Sequence, residues 1–323
     1  MPRRFVTSAR SGVIAGLSLL LTLGTIGPAL AQDATQEAEP SSELTTQLPA
    51  VSLPTMNSQG FVFEITSAYN GTPSGTPAQA PVYAMNEQTL DIDETKAVAD
   101  KLGIGGDVQD DGSGTYTVSG DGTLYATAGL VQYVSATETQ DGDLGDDASI
   151  IATAREWLRG TGQLPANIGD GSIQAKIESP ARAIVIFQPV SPNPLLSSTP
   201  NITVTVGPNG SVYEAAWRWA DITQADTYQL RPLDQAFAEV SDRRAYLQAS
   251  LPSDQFADGS SIAGNAVYSS VSLAYASSGV PGETQYLQPV YVFTGTLTPE
   301  GSDASYPITA YVPALVNSNQ PVG

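Results

Sequence analysis

The sequence predicts an α+β protein whose antiparallel sheets are each covered by short helices. Three observations carry this. Helical periodicity appears in only three stretches: about Ile92 to Leu102, about Ala148 to Arg159, and a run opened by Pro232. Between them lie short alternating apolar runs separated by Gly, Asn, Asp and Pro. The strands come in adjacent runs with helices between the runs, which is not the strict alternation of a parallel α/β sheet.

Each helix carries its own start and stop signals. In the first, Asp91 is placed to cap the backbone and Glu94 to answer it three residues later, with Gly103 beyond the last turn. Its apolar face is Ile92, Ala97, Val98 and Leu102. The second has Asp146 and Asp147 at an acidic start, with Ile150, Ile151, Ala154, Trp157 and Leu158 on one face and Gly160 as its stop. The third sets Leu233, Ala236, Phe237 and Val240 at helical spacing behind Pro232.

Strands are predicted over Thr115 to Ser119 and Thr123 to Ala128, around the turn Gly120-Asp121-Gly122, and over Leu130 to Val134. After the second helix come Ile173 to Glu178, Ala183 to Phe187, Ile202 to Val206 and Val212 to Trp219, the last two joined by Pro208-Asn209-Gly210. The C-terminal third offers Ala266 to Tyr275, Pro289 to Leu297 and Tyr306 to Val312. Tyr69 to Pro81 (YNGTPSGTPAQAP) reads as a loose interruption. Two degenerate helix-plus-sheet units follow from this order, over residues 57–140 and 141–250, with strands in 251–323 completing the second sheet.

Ahead of these units stand an export signal and a spacer. Arg3, Arg4 and Arg10 precede the apolar run Val13 to Leu23, and Ala29-Leu30-Ala31 supplies the small-x-small pattern of a cleavage site. Residues 1–31 thus read as a signal peptide, with retention as a membrane anchor the alternative. Residues 32–56, rich in Gln, Glu, Ser, Thr and Pro, read as a disordered acidic spacer.

Composition excludes more chemistry than it suggests. Loss of Arg3, Arg4 and Arg10 with the signal peptide turns 13 basic residues into 10 against 33 acids, a net charge of −23. Such a surface repels nucleic acid and anionic headgroups and favours cationic partners. With no histidine and no cysteine there is no His-based triad, no thiol nucleophile, no disulfide and no lipoprotein anchor. Lys96, Lys101 and Lys176 lie in no Ser-x-x-Lys pattern, and Asp121-Gly122-Thr123 reverses the aspartic-protease order. A carboxylate pair is the one common hydrolytic scheme left open.

The candidate sites each have a plainer reading. The clusters Asp107, Asp110, Asp111 and Asp141, Asp143, Asp146, Asp147 resemble calcium loops in part. From Asp107, however, the twelfth position is Val118, and from Asp141 the fifth is Gly145. Turn and cap roles explain both clusters. Alternation in Trp217-Arg218-Trp219 puts both tryptophans on one face, either as a binding platform or, the preferred reading, as sheet core. Tyr275, Tyr286, Tyr291, Tyr306 and Tyr311 give the C-terminal strands an aromatic bias suited to a contact surface, which strand propensity alone predicts nearly as well. The glycines of Gly103-Ile104-Gly105-Gly106 end a helix and form no phosphate loop. No catalytic, cofactor-binding or metal-ligating residue is therefore assigned.

The helix Glu94 to Gly103 followed by Gly114-Thr115-Tyr116-Thr117-Val118 and a turn resembles the helix-plus-hairpin unit of PepSY-type domains. The runs Val271 to Tyr275, Leu287 to Phe293 and Ala310 to Ala314 resemble the end of YycH/YycI-type extracytoplasmic regulators of a sensor histidine kinase. These resemblances cover about half the chain, and they imply a non-enzymatic protein acting through protein contacts at the cell envelope. The expectation is an exported, secreted or envelope-associated modulator or sensor accessory. The alternatives are a secreted carboxylate-dependent hydrolase and an acidic structural protein of the cell surface. N-terminal sequencing of the exported chain is expected to begin at Gln32; a start at the initiator region would establish the retained anchor instead.

Overall fold

The computed structural model describes residues 48–53, 60–71, 76–279 and 284–316. The signal-peptide reading of residues 1–31 lies outside them, as does most of the spacer. The chain enters through β1 (Val62–Tyr69) and β2 (Gln79–Glu87), then forms α1 (Ile92–Lys101). The loose stretch expected from Tyr69 to Pro81 is thus confined to the link between two strands. Its Gly and Pro residues concealed that β1 ends, and β2 begins, inside it.

A meander of β3 (Val108–Asp110), β4 (Tyr116–Ser119), β5 (Gly122–Thr127) and β6 (Leu130–Ser135) leads to α2 (Asp147–Gly160). A second meander follows: β7 (Ser172–Ile177), β8 (Arg182–Phe187), β9 (Asn201–Val206) and β10 (Val212–Arg218). The chain then leaves through β11 (Ala220–Gln229), α3 (Leu233–Ser241), β12 (Tyr246–Ala249), β13 (Ser261–Ser278), β14 (Gln285–Pro299) and β15 (Tyr306–Pro313).

These strands make two sheets, and the partition differs from the expected 57–140, 141–250 and 251–323. One eight-stranded sheet has the order β3-β4-β5-β6-β10-β9-β8-β7. The two meanders join in its middle, where Val131 to Val134 of β6 pair antiparallel with Glu214 to Trp217 of β10. The strands after α2 therefore extend the first sheet and do not found a second. The other sheet, of seven strands, takes β1 and β2 from the start of the chain and β11 to β15 from its end. Alternation fixes which side chains share a face but not which strand lies alongside. The pairing of β1 with β13 is moreover parallel, against the general antiparallel pattern.

The local signals act as the sequence implies. The Asp91 side chain accepts the Glu94 amide at 2.8 Å, and the Glu94 carboxylate accepts the Asp91 amide at 3.0 Å. Gly103 then leaves the helix at φ +73°, a left-handed turn that favours glycine. Val98 and Ala99 of α1 and Ile150, Ala154 and Leu158 of α2 share one buried cluster with Leu124, Val185, Phe187, Ile202 and Val204. Ala236 and Val240 of α3 share another with Ile65, Tyr268, Tyr291, Phe293, Ile308 and Val312. Each large side chain buried this way contributes about 1.5–3 kcal/mol.

Part of the expected spacer is ordered against this second sheet. Val51 and Leu53 are buried with Ala276 and Val290, and the Ser52 amide donates to the Ser277 carbonyl at 2.7 Å. Two apolar residues in a polar stretch are too few to show a period, so their docking left no mark on the pattern.

Candidate functional site

Six of the acids singled out by spacing are engaged in turns, a helix cap, a hydroxyl contact or an ion pair. Asp110 accepts the Gly112 amide, and Asp111 accepts the Ser113 amide and hydroxyl, each at 2.8 Å. These Ser113 bonds, the amide foremost, hold the Asp111 carboxyl below the usual carboxylate range. In the second cluster Asp143 accepts from the Gly145 amide and Asp141 from the Ser179 hydroxyl. Asp146 caps α2 through the Ser149 amide at 2.8 Å, which lowers its pKa, while Asp147 pairs with Lys176. Among the described residues, no three acids converge on one point.

Trp217 and Trp219 both face the helix side of the eight-stranded sheet, and both are buried in its core. Trp217 is 3% exposed, and the Trp157 ring from α2 stacks on it at 5.7 Å and 25°. Tyr133 closes the stack on Trp157 at 5.4 Å. A platform would have its ring faces open, so the core arrangement holds here.

Of the two readings of the C-terminal tyrosines, the packing one holds. Tyr291 and Tyr275 are buried, and Tyr286, Tyr306 and Tyr311 are packed against the clusters. The Tyr291 hydroxyl donates to the Arg231 carbonyl at 2.9 Å, and those of Tyr306 and Tyr311 donate to Gln255 and Gln248. Burial, reinforced by Tyr83, pushes the Tyr275 hydroxyl up to about 12. The aromatic bias thus reflects core packing.

Among the described residues, two concavities stand out. Where the sheets meet, a space of about 20 Å³ is lined by Met85, Glu87, Gly129, Arg218, Trp219 and Gln285, with the Gln285 amide donating to the Glu87 carboxylate. That volume suits a single water. A single carboxylate lines it, so the facing pair that a glycosidase-like mechanism needs is not assembled there. The second is an open groove of about 430 Å³ beside Phe256, Ser260, Ile262 and Glu300. Two of its polar groups are used locally: the Ser260 hydroxyl donates to the Ala257 carbonyl and the Glu300 amide to the Ala263 carbonyl.

The residues that alternate with the buried cluster shared with α1 and α2 lie on the opposite face of the eight-stranded sheet, where Ala216 is buried and its neighbours are more open. Strand registers align Thr117, Tyr125, Gln132, Ala216, Thr203 and Ile186 in one row across it. The neighbouring row runs Thr123, Val134, Glu214, Thr205 and Ile184. Tyr125 and Val134 are 37% and 44% exposed, and neither joins a buried cluster. Periodicity signalled these strands, but only the pairing of the two meanders shows that their outward residues form one surface.

No known protein family and no curated protein matches the chain. Among solved structures, an uncharacterized protein from Eubacterium rectale ATCC 33656 aligns with a TM-score of 0.39 and 7% identity, over 78% of this chain and 87% of that one.

Replacing Trp217 by Ala removes the centre of the stack. The expected cost is about 3–5 kcal/mol, read as a lower denaturant midpoint with an unchanged slope. A loss below about 1 kcal/mol would contradict the core assignment.

Proposed function

We propose that this chain is an exported, non-enzymatic protein that binds another protein or a cell-envelope component, as a modulator or sensor accessory. The observation that carries this reading is the open face of the eight-stranded sheet, where half-exposed Tyr125, Val134, Ile184 and Ile186 alternate with Thr and Gln. A mixed apolar and hydrogen-bonding surface of this kind suits a reversible protein contact. In this reading α1 and α2 roof one face and leave the other for the partner, and the two meanders are copies of one helix-plus-sheet plan. The net charge favours a partner with a basic face, and it disfavours nucleic acid. The resemblance to PepSY-type and YycH/YycI-type domains points the same way. Export of the chain belongs to the same proposal; retention of the signal segment as an anchor would make residues 32–56 its tether.

Two variants test the face directly. A partner captured at stoichiometric level from envelope extracts should be lost with the double substitution Tyr125→Glu and Ile186→Glu, and kept with Ile92→Glu, an exposed position on α1. Equal capture by both variants would overturn the assignment of the face.

A further inference from the structure

Exposed sheet edges invite pairing with other chains, and proteins ordinarily blunt them with short strands, bulges, charges or proline. Among the described residues, four of the five free edges are blunted. β3 has three residues and β12 four. β7 carries Lys176 and a register shift between Ile173 and Ala175, and β11 carries Asp221, Asp226 and a shift between Gln224 and Asp226.

The fifth edge is β1. It has eight residues (VFEITSAY) with a single charge, Glu64, and no proline, no lysine and no register shift. Among the described residues it pairs with β13 alone. The amides of Val62 and Asn70 donate toward β13, so the alternate residues Phe63, Ile65, Ser67 and Tyr69 turn their backbone groups to the open side. Val62 is 57% exposed, and on the same sheet Val267, opposite Ala68, is 37% exposed.

We propose that β1 pairs antiparallel with β1 of a second copy of this chain, about a two-fold axis through Thr66. The sequence is self-complementary in that register. Ile65 and Ser67 of one copy exchange backbone hydrogen bonds with Ser67 and Ile65 of the other, and Phe63 lies opposite Tyr69. Phe63 and Tyr69 are half-buried in the single chain, so pairing completes their burial. Glu64, the only charge on the strand, faces Ala68, so no like charges meet. Thr66 meets itself as a non-hydrogen-bonded pair, where the Cα atoms approach most closely. Because the exported chain carries a net charge of −23, the copies repel at long range, and salt strengthens their association. The dimer leaves the proposed contact face on the other sheet free.

The absence of cysteine from the chain makes a site-specific test available. The exported protein should sediment at twice the chain mass, more completely at higher salt. Thr66→Lys places two lysines across the axis and should return the monomer with an unchanged circular dichroism spectrum. Thr66→Cys should form a disulfide-linked dimer under mild oxidation, whereas Ser172→Cys on the β7 edge should not. A wild-type monomer at every salt and protein concentration would overturn the proposal. So would Thr66→Cys cross-linking no faster than Ser172→Cys.

Discussion

Strand β13 has a second edge, and what fills it beyond Tyr268 joins the two sheets. β14 takes one edge along most of its length, and β1 takes the other from Ser261 to Tyr268. Past that point the connection between β8 and β9 reaches over from the eight-stranded sheet. The Leu196 amide donates to the Tyr275 carbonyl at 2.7 Å, the Tyr275 amide to the Pro194 carbonyl at 2.9 Å, and the Ser277 amide to the Ser197 hydroxyl at 2.5 Å. Ser52 then closes the edge by donating to Ser277. Each such bond contributes about 0.5–1.5 kcal/mol net, so together they reach several kcal/mol. That is a large fraction of the roughly 5–15 kcal/mol that stabilises an ordinary domain.

Side chains reinforce the joint. Leu195 packs against Met85, Ala220, Tyr275 and Leu287, and Leu196 packs against the cluster of Val51, Leu53, Ala276 and Val290. The main-chain crossings at Glu87 to Gln88 and Arg218 to Ala220 run through the same seam, where the Gln88 amide donates to the Trp219 carbonyl at 3.2 Å. With no disulfide available, apolar packing and strand pairing have to hold two sheets in register.

Legibility in the sequence followed the range of the signal. The Asp91–Glu94 capping box, the helical period of Ile150, Ala154 and Leu158, and the turn at Gly120 to Gly122 are local, and they stand where the sequence places them. Strand partners are not local. Nothing in Leu130 to Val134 announces that β10, about eighty residues on, lies beside it, and nothing in VFEITSAY announces a parallel neighbour near residue 265. The tyrosines of β13 to β15 were ambiguous for a related reason, since a strand aromatic buried under a helix and one offered to a partner share the same alternation. The candidate face was half legible: its residues were assigned to strands, but its continuity depends on the union of two meanders.

The central claim is that the β13 edge makes the two sheets one cooperative unit. Differential scanning calorimetry of the purified chain tests it most directly. The account predicts a single transition whose calorimetric and van't Hoff enthalpies agree. Two resolved transitions, or a calorimetric enthalpy well above the van't Hoff value, would contradict it.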